Sequence, residues 1–249
     1  MAYRRTGVRR TVRRDFRGAR ASDVVGPVEH GMDVFGLSTG AFSLIDLLTY
    51  CLDATGPADV TISCWTASGQ DIEECHRRLT GGGMTSVRFL MDFSHSRRKP
   101  EWAQALRERF GDDAIRVTVN HSKFAIVRNA EWALVIRSSM NLNRNLRLES
   151  FDISDDADMA DWLGSVVDWL FVRESAPLDA SPGVPQKDYA DHIASMPTSY
   201  DPAPLGRDVD RIGLAPWGSG LDAGPTAWDG RRSGLSGWRG EVGDKPRQG

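Results

Sequence analysis

The 249-residue chain has few cysteines, namely Cys51, Cys64 and Cys75. Their number is odd, no two of them form a CxxC pair, and no histidine lies at metal-ligand spacing from them. Each lies in an apolar stretch, where a free cysteine behaves as a small hydrophobic residue. We therefore expect three unpaired, structural cysteines, with no disulfide framework and no zinc site.

Long apolar runs are missing as well. Polar residues interrupt every apolar stretch well before the roughly 20 residues that a membrane-spanning helix needs. The pair Arg13-Arg14 resembles the start of a twin-arginine export signal, but the residues that follow it are polar and do not form an apolar segment. We therefore expect a cytoplasmic protein without a membrane span.

An excess of positive charge is lacking outside the first 20 residues. The net charge is −3, yet residues 1–20 carry eight arginines and a single acid, Asp15, so this segment is +7 and the rest is −10. A basic arm on an acidic body is typical of proteins that bind a polyanion. The arginines of the arm are Arg4, Arg5, Arg9, Arg10, Arg13, Arg14, Arg17 and Arg20.

The composition divides the chain into three parts. Residues 1–30 lack apolar periodicity and are predicted to be a flexible arm, and residues 31–174 have the pattern of one folded domain. Residues 175–249 are rich in Pro, Gly, Ser and Asp, and they cannot bury enough apolar area to offset the entropy of ordering. We predict a disordered tail, in which three tryptophans are candidate docking points for a protein partner: Trp217, Trp228 and Trp238.

The middle part predicts an α/β fold. Apolar strand-like runs alternate with segments of helical periodicity, and these strands are too apolar to have one face in water. This pattern predicts a mixed, mainly parallel sheet flanked by helices, extended by partly antiparallel strands and closed by an amphipathic helix whose apolar stripe packs on the sheet. The predicted strands are 32–38, 60–66, 86–93, 115–119, 124–127, 132–136 and 148–153, and the predicted helices are 41–52, 70–79, 100–110 and 155–172.

The segment His121-Ser122-Lys123 holds the residues best suited to catalysis. On a strand, side chains two residues apart point to the same face, so the imidazole and the ammonium group are expected together. Lysine supplies positive charge for a phosphate, and histidine can attack phosphorus or transfer protons. An HxK tripeptide alone is common by chance.

A second group of residues strengthens this interpretation. Ser139 and Asn141, in the segment Ser-Ser-Met-Asn-Leu at 138–142, can donate hydrogen bonds to phosphate oxygens. Glu149 can orient the imidazole of His121 by accepting its second N–H, as the acid of a catalytic triad does.

Together the segments HSKFAIVRN, WALVIRSSMNL and LES resemble the phospholipase D superfamily pattern HxKxxxxD, GSxN and a downstream glutamate, over about residues 31–174. The resemblance implies a phospholipase D-like fold and a phosphodiesterase that needs neither metal nor cofactor. It makes His121 the nucleophile that becomes phosphorylated, and Lys123, Ser139 and Asn141 the phosphate-binding residues. Glu149 takes the place of the family's acidic residue.

The sequence departs from this pattern at two positions. Arg128 stands where the motif has aspartate, and Ser138 replaces the glycine before the serine. The tyrosyl-DNA phosphodiesterase branch, whose HxK…N motif this sequence also resembles, tolerates the loss of the aspartate. A second segment, His95-Ser96-Arg97, lacks both the lysine and a following SxN, so we predict a loop there.

The chain thus contains one HxK motif, whereas the superfamily builds its site from two. It therefore resembles the bacterial single-motif nucleases, which pair two subunits about a two-fold axis. The resemblance implies a homodimer in which two His121 side chains face one cleft.

Charge distribution favours a nucleic-acid substrate, DNA more than RNA. The sequence shows no basic amphipathic helix and no lipid-anchoring motif. Besides the arm, four arginines near predicted strand ends are candidates for binding the nucleic acid: Arg97, Arg98, Arg144 and Arg147.

Other functions remain open at this point. A catalytically degenerate nucleic-acid-binding or assembly protein, of phage or mobile-element origin, is favoured by Arg128 and by the two long flexible ends. A phospholipase is a third candidate, and the arginine-rich end could serve solubility alone.

Overall fold

The computed structural model describes residues 10–14, 19–144, 146–174 and 182–196. Its strands are β1 (Thr11–Arg14), β2 (Asp33–Ser38), β3 (Ala58–Cys64), β4 (Met84–Asp92), β5 (Ile115–Thr118), β6 (Phe124–Arg128), β7 (Ala133–Ser138) and β8 (Glu149–Asp155). Its α-helices are α1 (Ala21–Val25), α2 (Leu44–Thr55), α3 (Gly69–Thr80), α4 (His95–Arg98), α5 (Pro100–Phe110), α6 (Ala157–Arg173) and α7 (Gln186–Ser195), and Asp112–Ala114 form a 3₁₀ turn.

The eight strands form one sheet in the order β1-β2-β8-β7-β6-β3-β4-β5. The pairs β1–β2, β3–β4 and β4–β5 are parallel. The pairs β2–β8, β8–β7, β7–β6 and β6–β3 are antiparallel. The predicted mixed α/β sheet flanked by helices is confirmed. Antiparallel pairing takes a larger share than expected, because β6, β7 and β8 follow one another through short connections and so reverse direction each time.

Helices cover both faces of the sheet. Alternate side chains of β6 and β7 point to opposite faces. Ala125 and Ile136 belong to a large core shared with α2, α3 and α5, whereas Ile126 and Val135 belong to a smaller core with α6. The predicted packing of the α6 stripe on the protein's own sheet is confirmed by its members, which are Met159, Trp162, Leu163, Val166, Val167 and Leu170.

Part of the predicted flexible arm is ordered. Arg10 forms ion pairs with Asp33 and Asp152, each at 3.1 Å, and these hold β1 against the sheet. Farther on, Val24 and Val25 of α1 are buried in the large core. This stretch has too few apolar side chains to show a helical or strand period in the sequence. They are nevertheless enough to order the stretch once an unpaired strand of the sheet is available. Arg4, Arg5, Arg9 and Arg17 lie outside the described residues.

A helix also forms within the segment predicted to be a disordered tail. The ring of His192 in α7 stacks on Trp169 of α6 at 4.2 Å, and Tyr189 meets the same indole edge-on. Aromatic contact with α6 therefore orders residues that their composition alone would leave unstructured. Trp217, Trp228 and Trp238 lie outside the described residues.

Two smaller expectations have clear outcomes. All three cysteines are free and buried, as predicted. The segment at His95 was predicted to be a loop, but it is a short helix. Its imidazole is fully buried and shares a hydrogen bond with the Thr66 hydroxyl at 3.2 Å, which holds the segment against the core. No helix among the described residues has both the length and the apolar character to cross a membrane.

Candidate active site

Strand directions bring the candidate residues to one edge of the sheet. At this edge, which is formed by strand ends and which we name the site edge, β1, β2, β3, β4, β5 and β7 end, and β6 and β8 begin. The loops after β3, β5 and β7 therefore lie beside one another. They carry Trp65, the HSK segment and the SSMN segment, respectively.

His121 and Lys123 are in direct contact there. The Nζ atom of Lys123 lies 3.0 Å from Nδ1 of His121 and donates to the His121 carbonyl oxygen at 2.7 Å. Both residues precede β6 instead of lying within it, although the Lys123 carbonyl still pairs with the N–H of Ser138 at 3.0 Å. Since an ammonium group only donates, the imidazole nitrogen that faces it presents a lone pair. The imidazole is exposed, so an incoming group can reach it.

Asn120 fixes the HSK segment to the sheet, and no sequence pattern indicated this role. Its buried amide oxygen accepts from the N–H of Ser122 at 2.9 Å and from the Ser122 hydroxyl at 2.6 Å. Its amide nitrogen donates to Ser63 Oγ at 2.9 Å and to the Leu90 carbonyl at 3.0 Å, while its own N–H donates to buried Asp92 at 3.0 Å. The residue before the motif is therefore tied to β3 and β4 at once.

We expect Asn120→Ala to lower the free energy of unfolding by about 1–3 kcal/mol, because it leaves buried donors and acceptors without partners. Urea denaturation measures the change. Asn143→Ala is the matched control, since the buried Oδ1 of Asn143 has no hydrogen-bond partner to lose. Equal losses in the two variants would contradict the anchoring role of Asn120.

The SSMN segment and Glu149 meet on the same side of the site edge. The Ser139 hydroxyl donates to the carboxylate of Glu149, and the Asn141 side-chain oxygen accepts from the N–H of Trp65 at 3.2 Å. The sequence led us to expect that Glu149 accepts a hydrogen bond from His121. Its hydrogen-bond partner is instead Ser139, because the imidazole turns towards Lys123.

The pKa of Lys123 is lowered from its usual value. Partial burial of the ammonium group is the main cause, and the negative charges of Glu149 and Asp92 act in the opposite direction. A half-buried lysine beside an exposed imidazole suits a site that receives an anion, because phosphate oxygens replace the water that burial removes from the ammonium group.

Of the four candidate arginines, Arg98 lies over the Trp65 ring, beside His121. Its guanidinium carbon lies 3.6 Å from the centre of the Trp65 ring, and that ring is 5.7 Å from the ring of His121. Arg97 instead lies over Phe93, and Arg144 forms an ion pair with Asp46 at 3.4 Å. Arg147 is exposed in the loop before β8.

Arg128, which stands at the motif's aspartate position, lies at the opposite edge of the sheet. It ends β6, pairs with Ala133 in the register, and forms an ion pair with Asp161 of α6. With a rise of about 3.3 Å per residue, the five residues from Lys123 to Arg128 span roughly 16 Å. The substitution therefore removes no group from the immediate surroundings of His121.

None of the other four histidines contacts His121. His30 stacks on Trp132, His76 meets Phe110 edge-on, and His192 stacks on Trp169. His95 is near the site but fully buried, and burial lowers its pKa to about 4. A neutral imidazole is too weak an acid to protonate a leaving group at neutral pH, and its burial keeps it from the substrate. The chain therefore brings a single exposed histidine to the candidate site.

Metal-ligand clusters are not part of this arrangement. Among the residues that the structure describes, no group of three or more His, Cys, Asp or Glu side chains is placed to hold a metal ion. A cavity of about 640 Å³ lies elsewhere, along α5, and its lining includes Gln104, Arg107 and Glu108 but none of the candidate site residues.

Comparison with solved structures finds low sequence identity. The chain is similar to phosphatidylserine synthase from Haemophilus influenzae Rd KW20, with 16% identity, a TM-score of 0.42, and coverage of 61% of this chain and 41% of the synthase. It is also similar to NucT from Helicobacter pylori, with 15% identity, a TM-score of 0.42, and coverage of 58% of this chain and 99% of NucT.

A third similar structure is Nuc from Salmonella typhimurium, a phospholipase D family member, with 14% identity, a TM-score of 0.40, and coverage of 57% of this chain and 95% of Nuc. The chain spans less than half the length of the synthase. No family model matches the sequence, and neither does any curated protein. The chain is thus similar to these three solved structures at low identity, and one of them is a phospholipase D family member.

Proposed function

We propose that the protein is a metal-independent phosphodiesterase, a nuclease that acts on DNA or RNA through a phosphohistidine at His121. The observation that carries this proposal is the contact between an exposed imidazole and a half-buried ammonium group at the site edge, with Ser139 and Asn141 in the adjoining loop. Histidine is the nucleophile and lysine the phosphate ligand in this arrangement.

The proposed reaction has two steps. A ring nitrogen of His121 attacks phosphorus, and the bond to the leaving oxygen breaks as a second imidazole gives that oxygen its proton. Water then attacks the phosphohistidine and transfers its proton to the second imidazole, which frees His121 and a phosphate monoester. Lys123 stabilises the negative charge on the phosphoryl oxygens in both steps.

The second imidazole comes from another copy of the chain in this proposal. A single imidazole does not attack phosphorus and protonate the oxygen opposite at the same moment, and one subunit offers only His121. Large apolar side chains also lie exposed in the loops of the site edge: Val119 is 61% exposed, Leu146 88% and Leu148 75%. A two-fold contact at this edge covers them and brings two His121 side chains together.

The arginine arm supports nucleic acid as the substrate, with DNA preferred to RNA. Arg13 and Arg14 are exposed in β1, and Arg20 is exposed at the start of α1. Because Arg10 is tied to Asp33 and Asp152, it contributes to the fold as well as to the positive charge.

Neutralising the first three arginines of the arm, by Arg4→Gln, Arg5→Gln and Arg9→Gln together, is expected to weaken DNA binding and its dependence on salt. Each phosphate that the variant no longer neutralises reduces the slope of log K against log salt by about 0.9, so the slope falls by up to about 3. Fluorescence anisotropy at several salt concentrations measures it. Deletion of residues 2–20 is a poorer test, because it removes β1 from the sheet.

A variant with three substitutions elsewhere, Arg77→Gln, Arg107→Gln and Arg109→Gln, has the same net charge and serves as the control. Equal slopes in both variants would show that total charge, and not the arm, determines binding.

A nucleic-acid-binding or assembly protein without catalysis is the second candidate. The position of Glu149 favours it, since this carboxylate is bonded to Ser139 and leaves the imidazole of His121 without an orienting acid. Incubation of labelled DNA and RNA with the protein in excess EDTA separates the two functions. Cleavage supports the phosphodiesterase, whereas binding without cleavage supports the second candidate.

A further inference from the structure

Trp65 and Arg98 form a rigid pair beside His121. The guanidinium group of Arg98 lies over the indole ring at 3.6 Å, a close cation–π contact. The same arginine donates to the Ser94 hydroxyl at 3.1 Å and towards the Trp65 carbonyl at 3.4 Å. Ser94 is in turn bonded to buried Asp92, so the arginine is restrained from two sides.

Arg98 has no acidic partner among the described residues, although most arginines of the described domain are in ion pairs. It is exposed, and it is held in place by neutral oxygens and an aromatic ring. An exposed guanidinium group that is fixed in this way keeps N–H donors available for an anion, and little entropy is lost when one binds.

Arg98 lies at a distance from His121 that suits the phosphate next to the scissile one. The ring distances of 5.7 Å and 3.6 Å set an upper limit of about 9 Å between the guanidinium carbon and the centre of the His121 ring. Lys123 already contacts His121 and is the cation assigned to the scissile phosphate in the proposed reaction. The next phosphate along an extended nucleic-acid strand would lie near Arg98.

We propose that Arg98, positioned by Trp65, binds the phosphate next to the scissile one, so that the site selects a polynucleotide strand over a substrate with a single phosphodiester. This inference rests on the proposed function and adds the substrate feature that the site recognises. The planar fork of a guanidinium group matches two phosphate oxygens, and it forms charge-assisted hydrogen bonds with them.

The experiment uses a DNA trinucleotide with two phosphates, and two analogues in which one or the other phosphate is replaced by an uncharged methylphosphonate. For wild type, we expect the analogue that lacks the neighbouring charge to raise KM by about 10- to 100-fold, the effect of losing charge-assisted hydrogen bonds. Arg98→Gln should show the raised KM on the unmodified trinucleotide and no further increase on that analogue.

Three more variants and a second substrate separate this effect from structural damage. Trp65→Leu should raise KM with kcat little changed, and Trp65→Phe should restore most of the affinity because it keeps an aromatic face. Hydrolysis of bis(p-nitrophenyl) phosphate, which has one phosphodiester, should change less than twofold in Arg98→Gln. Arg77→Gln, which removes a charge paired with Glu74, should behave as wild type on every substrate.

A loss of similar size on both substrates in Arg98→Gln would overturn the proposal, as would an additional loss on the methylphosphonate analogue. If wild type cleaves neither substrate, the proposed function fails, and the affinity of the uncleaved trinucleotides measured by calorimetry decides the inference alone. The same pattern of variants and analogues should then appear in Kd, and its absence would again overturn the proposal.

Discussion

Replacement of His121 by alanine is expected to reduce phosphodiester cleavage by at least ~10³-fold, because no other group of the site takes over the nucleophilic step. The fold should be unaffected, since the imidazole is exposed and its hydrogen bonds are made with Lys123 alone. Rates on a labelled oligonucleotide, together with circular dichroism and the urea midpoint, check both parts of this expectation.

His30→Ala is the matched control, because it removes a histidine whose ring lies 62% exposed at the opposite edge of the sheet. It should cleave at the wild-type rate. Undiminished cleavage by a homogeneous preparation of His121→Ala would exclude this residue as the nucleophile. A similar fall in both variants would point to a loss of folding instead.

The second large effect is expected from separating two subunits. Leu146→Asp combined with Leu148→Asp places charge on exposed apolar positions of the site edge, where a dimer would bury it without a partner. We expect a monomer by sedimentation at micromolar concentration, with cleavage reduced by about 10²- to 10⁴-fold, the contribution of a general acid. Because both side chains are in water in the single subunit, its stability should hardly change.

Val172→Asp is the matched control, since Val172 lies on α6, outside the loops of the site edge, and is 80% exposed; this variant should associate and cleave as wild type does. Mixing provides a second test of the shared site. An excess of His121→Ala subunits should draw nearly all wild-type subunits into mixed dimers and inhibit their cleavage. A strictly monomeric wild-type protein that cleaves would contradict the shared site, whereas an inactive monomer would favour the binding protein.

The sequence predicted the candidate site best where the site is formed by residues close to one another in the chain. His121 and Lys123 are two positions apart, so a short extended segment is enough to place them together, and they are in contact. The closing helix was predicted because its apolar stripe is long enough to show a 3.6-residue period. Strands and helices of the central domain were found for the same reason.

Other features depend on strand order, which local patterns do not reveal. Asn120, Asp92 and Trp65 each lie at or just after the carboxyl end of a strand, and polar or aromatic residues at that position were a usable signal. Their contacts arise only once β3, β4 and β5 lie side by side. The position of Arg98 over Trp65 joins segments 33 residues apart, and the pairing of β1 with β2 depends on a free sheet edge.

The fold changes the interpretation of Arg128, the residue at the motif's aspartate position. In the linear motif it replaces an acid that seems to belong to the catalytic set. In the structure it lies at the far edge of the sheet and pairs with Asp161, so its charge is balanced by α6. It therefore weighs less against catalysis than the sequence suggested, and the position of Glu149 becomes the stronger argument for a binding protein.

A covalent phosphohistidine is the central claim, and trapping it tests the account most directly. A single-turnover reaction on an oligonucleotide in excess EDTA is quenched in alkali, in which phosphohistidine survives, and the peptides are analysed by mass spectrometry. We expect a nucleotide or phosphate adduct on the peptide that contains His121 in wild type, and none in His121→Ala. Cleavage in EDTA with no adduct on that peptide, or with the adduct on another residue, would contradict the account.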